Sequence, residues 1–228
     1  MEILSHEYGL TYFKSSNSDD IYYSGAVARV VAYFADHPEV DMVYGMADHI
    51  DLDDHAFEAY PSEPWNFDRL KETCFICQPA LFFRRRVAEQ CGLLDESLNY
   101  CMDYEYWLRL GKAGVKFGYL EEKLAGSRLY VDNKTLGSRV KVHKEINDMF
   151  KKLFGKVPDR WLFNYAHAAV ETSSPNRAEW PRWFVVSLSL VSIFSAFWWN
   201  RKVSQGMKRS LIQWGKSAIL KSKGTNEF

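Results

Sequence analysis

What this chain lacks narrows its function first. It has no net charge, with 29 Lys and Arg against 29 Asp and Glu, so no bulk electrostatic field marks it as a nucleic-acid binder. It is poor in cysteine: of four, Cys74 and Cys77 form a CxxC, and no second CxxC or CxxH follows at zinc-finger spacing. That pair flanks apolar residues and no secretory signal precedes it, so the thiols read as buried and reduced rather than as zinc or redox groups. The opening residues lack both positive charge and an apolar run, and no targeting peptide is expected there. What is present is 228 residues, 47% apolar and 25% charged, enough for one full core and an appendage.

The first 136 residues read as an α/β domain. From Ser24 to His37, Ala26, Val27, Val30, Val31 and Phe34 recur at helical spacing, and Pro38 supplies the stop. A strand is predicted from Val40 to Tyr44, with Gly45 marking a bulge or bend, and a second from Ala47 to Leu52 that ends at the turn-like Asp53-Asp54. After a loop holding Pro61, Pro64 and Trp65, Cys77 to Phe83 reads as a loop entering a buried strand. Arg84 to Gln90 fits a short helix closed by Gly92. Asp103 to Ala113 is a helix with Trp107, Leu108 and Leu110 as core candidates and Gly114 as its end, and Val115 to Leu120 is a strand. Alternating short strands and helices predict a mixed sheet with helices around it.

Residues 137–228 differ in character and read as a helical extension. Ser138 to Phe154 is amphipathic, with Val142, Ile146, Met149, Phe150 and Leu153 on one face, and Pro158 to Val170 is a second helix. Trp183 to Trp199 is apolar apart from serines, with Arg182 before it and Arg201-Lys202 after it. About seventeen helical residues reach roughly 25 Å, short of the roughly 30 Å hydrocarbon core. Its end tryptophans and the basic tail (Lys208, Arg209, Lys216, Lys221, Lys223) suit a membrane interface; packing in a core or on a partner is the alternative. Residues 221–228 are expected to fray.

Three spaced elements carry chemistry: Asn17-Ser18-Asp19-Asp20, the run Cys77-Gln78-Pro79-Ala80-Leu81-Phe82-Phe83-Arg84-Arg85, and residues 93–110, which include Asp95, Met102-Asp103, Trp107 and Arg109. Paired carboxylates after a strand-like run (Leu10, Thr11, Tyr12, Phe13) can hold a hard divalent cation against a diphosphate, or simply form a solvated turn. A carboxylate in a helix's first turn is favoured in its ionised, proton-accepting form, which suits either a catalytic base or a structural cap. Asp95 lies in a Gly-Leu-Leu-Asp-Glu turn.

In order and spacing these elements resemble the family 2 glycosyltransferases over about residues 14–135. That resemblance implies the C-terminal part of an A-type nucleotide-sugar transferase fold, a mixed α/β sheet flanked by helices. It implies that Asp19 and Asp20, with Asp20 the more direct ligand, hold Mg²⁺ or Mn²⁺ with the donor diphosphate. Asp103 would then be the base that deprotonates the acceptor hydroxyl. Gln78 and Pro79 would shape the acceptor-side loop, Asp95 would form a turn with a lesser part in acceptor contact, and Arg109 would be a structural ion-pair partner.

The departures matter too. The family places a nucleotide-binding half before the aspartate pair, and sixteen residues precede Asn17 here, so that half is expected to be missing from this sequence. Where the family has Arg-x-His, this chain has Arg128-Leu129-Tyr130, and His143 is expected on a helix surface. Met102 stands where a glutamate is usual.

The expected function is an inverting, metal-dependent transfer of sugar from a nucleotide-sugar donor to a glycan or lipid-linked acceptor in cell-envelope or exopolysaccharide assembly. The expected place is the cytoplasm, at the inner face of the cytoplasmic membrane. A second copy, or a partner supplying the missing half, would cover exposed strands. The alternative is an inactive remnant or interaction module; a metal-dependent hydrolase using Asp19, Asp20 and Asp103 is a weaker third reading.

Overall fold

The computed structural model describes residues 2–4, 12–14, 19–129, 138–173 and 181–223. The chain divides into two compact units, Met1–Asn133 and Lys134–Phe228. The first is α/β, a mixed sheet with helices around it, as the sequence predicts. Its elements are β1 (Glu2–Leu4), β2 (Tyr12–Lys14), β3 (Ile21–Tyr22), α1 (Ala26–Asp36), β4 (Met42–Ile50), β5 (Ala56–Ala59), α2 (Phe67–Glu72), a 3-10 turn (Gln78–Ala80), β6 (Leu81–Arg84), α3 (Arg85–Cys91), α4 (Met102–Lys112) and β7 (Phe117–Arg128).

Strand β4 is the axis of this unit. The sheet runs β1-β2-β6-β4-β7-β3, with β5 paired to the end of β4 as a hairpin. β4 is parallel to β7 and antiparallel to β6. Successive side chains of a strand point to opposite faces, and both faces of β4 are covered. Val43, Ala47 and Phe82 pack with Ala26, Val30 and Phe34 of α1. On the other face Phe83, the register partner of Met42, meets the edge of Tyr106 on α4 at 5.9 Å. Trp107, Leu108 and Leu110 are buried as predicted.

Helix ends follow their signals. α3 stops at Gly92, whose φ of 75° suits glycine, and α4 ends just before Gly114. Three expectations are corrected. The strands predicted on either side of Gly45 are one nine-residue strand. The irregularity lies in register: Gly45 is opposite Leu120, Met46 opposite Lys123 and Ala47 opposite Ala125, so β7 bulges over β4 while β4 continues. β7 itself runs twelve residues rather than ending at Leu120, its continuation masked by the charged Glu121-Glu122-Lys123. β5 and α2 were not anticipated; every residue of β5 is exposed, so no burial alternation marks it.

The second unit holds α5 (Arg139–Phe154), α6 (Asp159–Ser173), α7 (Pro181–Asn200) and α8 (Gln205–Lys223). α5 buries Val142, Ile146, Met149 and Phe150, the face its spacing predicts. Ala166 and Val170 of α6 pack with Phe184 and Leu188 of α7. Asn200 clamps the α5–α6 connection, accepting from Val157 N–H at 2.9 Å and donating to its carbonyl at 2.8 Å. α8 was read only as a basic tail.

Gly45 has no room for a side chain. A Cβ there would sit 2.5 Å from Leu124 Cδ1 and 2.8 Å from the Glu122 carbonyl oxygen. Gly45→Ala is expected to lower stability by about 1–3 kcal/mol through overpacking. An unchanged urea-unfolding midpoint would refute the close approach.

Candidate active site

Asp19 and Asp20 form the turn that leads into β3, and Asn17 and Ser18 lie outside the described residues. What holds this turn is Arg128, at the far end of β7. Its backbone N–H donates to Asp20 Oδ1 at 3.0 Å, and its Nε donates to the Asp19 carbonyl at 2.8 Å. The same guanidinium donates to the Asp51 carbonyl and pairs with the Asp54 carboxylate, joining the β4–β5 hairpin turn to the aspartate pair.

Asp103 sits in the first turn of α4 but is not its N-cap, which is Cys101. Its Oδ1 accepts from the Tyr104 backbone N–H at 2.7 Å. The residue is partly accessible, yet its carboxyl group is enclosed, and this burial raises its pKa above the usual aspartate range against the N–H groups that lower it. The helix terminus therefore does not win, contrary to the expectation that it favours the ionised form. Among the described residues no lysine or arginine pairs with Asp103.

Both acidic positions act electrostatically on the Cys77 thiol. Burial, then the negative charge of Asp20, raises the Cys77 thiol well above its ordinary range, and Asp103 adds to the rise. Burial likewise raises Cys74 and Tyr60, and Asp103 contributes to both. Cys77 immediately precedes the 3-10 turn of Gln78, Pro79 and Ala80, in which Pro79 and Ala80 are buried and Gln78 is half-buried. None of the four cysteines is in a disulfide, and the two of the CxxC are held neutral by their surroundings.

The other predicted positions are structural in their contacts. Asp95 closes a turn, its Oδ1 accepting from the Ser97 N–H at 3.1 Å and the Ser97 hydroxyl at 2.5 Å. Arg109 makes a two-pronged pair with Glu105 at 2.9 and 3.1 Å and also donates to the carbonyls of Cys91 and Leu93. Tyr130 lies outside the described residues. His143 is corrected: it is half-buried on α5 of the second unit, and burial lowers it to about 4, so it is neutral at pH 7.

Two features escaped the sequence reading. Asp48, 3% exposed on β4, accepts from the Tyr23 hydroxyl at 2.9 Å and pairs with Lys123 at 2.8 Å. An aspartate inside a strand otherwise buried was the available signal. Asp51, Asp53 and His55 bring their ligand atoms within 4.8 Å of one another. Asp51 Oδ1, however, is occupied by the Asp53 and His55 N–H groups that close the hairpin turn, both at 2.9 Å, and these hydrogen bonds, led by that of His55, hold the carboxyl below its ordinary range.

Comparison with known proteins places the chain among distant similarities. No family model matches it. It is 23% identical to an uncharacterized glycosyltransferase of Methanocaldococcus jannaschii over 137 residues, 58% of this chain and 47% of that protein. It is 27% identical to the O-antigen biosynthesis protein RfbC of Myxococcus xanthus over 103 residues, 45% of this chain and 8% of that protein. The chain thus matches less than half the length of either relative.

The raised pKa of Asp103 fixes a sign. Stability associated with the protonated carboxyl is present below the unfolded-state value and lost as pH rises through the folded one. Asp103→Asn keeps an oxygen for the Tyr104 N–H and removes the buried charge. Its Tm should exceed that of the parent at pH 7, with the gap closing towards about pH 4. A lower Tm at pH 7 would make the carboxylate a structural anchor.

Proposed function

We propose that the first unit is the acceptor-side and catalytic part of a family 2-like glycosyltransferase that moves a sugar from a nucleotide-sugar to an acceptor hydroxyl in polysaccharide assembly. The observation that carries this reading is Asp103 in the first turn of α4, enclosed and without a lysine or arginine partner among the described residues, together with the Asp19-Asp20 turn that Arg128 holds. The partial similarity to a protein named a glycosyltransferase and to one named for O-antigen biosynthesis points the same way.

In this reading Asp103 accepts the proton of the attacking hydroxyl. A bond forms from that oxygen to the anomeric carbon as the bond from carbon to diphosphate oxygen breaks, and the nucleoside diphosphate leaves with the electron pair. Attack opposite the leaving group inverts the anomeric centre. A carboxylate of raised pKa is the stronger base once ionised. The residues fit a hard divalent cation: Asp19 and Asp20 offer carboxylate oxygens, and no hydrogen bond among the described residues engages the Asp19 side chain. These two would hold Mg²⁺ or Mn²⁺, which when bound neutralises charge on the diphosphate. Arg128 supports the site by fixing the backbone that presents them.

The alternative is a non-catalytic module that keeps this sheet and docks on a partner. Calorimetric titration with UDP, GDP and dTDP, with and without Mn²⁺, separates the two. Manganese-dependent binding that Asp20→Ala weakens at least tenfold is expected. A folded chain that binds none of these nucleotides overturns the reading in favour of the module.

A further inference from the structure

Helix α7 carries large apolar side chains on both its buried and its exposed side. Its buried side carries Phe184, Leu188, Ser192, Ser195, Ala196 and Trp199. Its exposed side carries Trp183, Val186, Leu190, Phe194, Phe197 and Trp198, each 46–66% accessible. At 3.6 residues per turn these six fall within an arc of about 120°, and the half-buried Ser187 is the one polar residue inside it. A helix of a water-soluble bundle turns polar residues outward, whereas α7 turns these large apolar ones outward.

The interior of the unit matches. Asn147 of α5 is fully buried, and its amide nitrogen and oxygen have no hydrogen-bond partner among the described residues. Ser192 and Ser195 are fully buried too, and each hydroxyl donates to the carbonyl four residues back at 2.7 Å.

Charge identifies what covers this face. From Pro181 to Asn226 the sequence has eight Lys and Arg and no Asp or Glu. Arg201, Lys202, Lys208, Arg209 and Lys216 are all exposed. A protein partner would be met by polar groups in the arc to set its register; this arc offers almost none. An apolar strip with tryptophan near both ends, in a stretch of sequence whose only charges are Lys and Arg, fits the headgroup boundary of an anionic bilayer.

We propose that α7 docks the second unit on an anionic lipid surface by laying its Trp183–Trp198 face into the headgroup–acyl boundary. The helix lies on the membrane rather than crossing it. Trp183–Asn200 is long and apolar enough to span, but its other face is packed on α6, which carries Asp159, Arg160 and Glu171. Crossing would take those charges into hydrocarbon or strip α7 from its core. This inference is independent of the transfer chemistry.

Vesicle co-sedimentation of the full chain tests it. Binding is expected to vesicles of phosphatidylcholine with about a third phosphatidylglycerol, weaker binding to phosphatidylcholine alone, and a decline with salt. Leu190→Ser with Phe194→Ser and Trp198→Ser alters only exposed positions, so circular dichroism should be unchanged while binding is lost. Lys208→Gln with Arg209→Gln should weaken binding roughly thirtyfold at low salt. Tryptophan emission that brominated lipid quenches would place the face in the bilayer. Three results overturn the proposal: no binding to anionic vesicles, binding indifferent to the triple substitution, or self-association that the triple substitution abolishes without any vesicle binding.

Discussion

The parallel pairing of β4 with β7 is the constraint from which the rest of the first unit follows. Parallel strands need both faces covered, and α1 and α4 supply those covers. The ladder is in register at both ends, from Met42 opposite Phe117 to Ile50 opposite Arg128, and absorbs its mismatch in the middle. Because the bulge is taken up over Gly45, the last rungs still align, and Leu129 N–H reaches the Ile50 carbonyl at 3.0 Å. That alignment delivers Arg128 to the place where it grips Asp19, Asp20, Asp51 and Asp54 at once. A slip of one residue would turn its side chain to the other face.

Two recessed carboxylates of this unit are handled in opposite ways. Asp48 is paid for in full, with a lysine on one oxygen and a tyrosine hydroxyl on the other. The cost appears on the partner: burial first, then Asp48, raises the Tyr23 phenol to about 12. Asp103 receives backbone N–H groups but, among the described residues, no cation, and its pKa rises. A buried charge without a partner is unfavourable for folding, so its presence calls for a reason other than stability. Proton acceptance from a substrate supplies one, and the contrast with Asp48 within one sheet gives the argument its force.

Much of this was readable from the residues. Helices α1, α3, α4 and α5 were visible because an apolar period of 3.6 and a stop residue agree at each. The loop-to-strand character of residues 77–83 was visible because Pro79 precedes an unbroken apolar run. The merger of two strands across Gly45 was not, since a glycine that receives a neighbour's bulge looks in sequence like one that ends a strand. β7 was cut short because its bulge exposes Glu121, Glu122 and Lys123 and so breaks the alternation. The site was legible as spaced aspartates, but not its chemistry. Whether a helix terminus or desolvation sets the pKa of Asp103 depends on how the folded chain encloses the carboxyl, which residue spacing alone does not show.

The serines of α7 show how this helix places hydroxyls inside at little cost. Ser189, Ser192 and Ser195 each donate to the carbonyl one turn back, at 2.7 Å, so their hydroxyls need no partner on another helix. Satisfied in this way, a small side chain can face α5 and α6 and let the backbones approach closely, which is how helices pack where water is absent. Phe184, Leu188 and Trp199 still fill the inner side, and six further large apolar residues face outward. In water such a face of aromatic residues would drive aggregation. Against acyl chains it carries no penalty, and the serine pattern and the aromatic pattern become two consequences of one solvent.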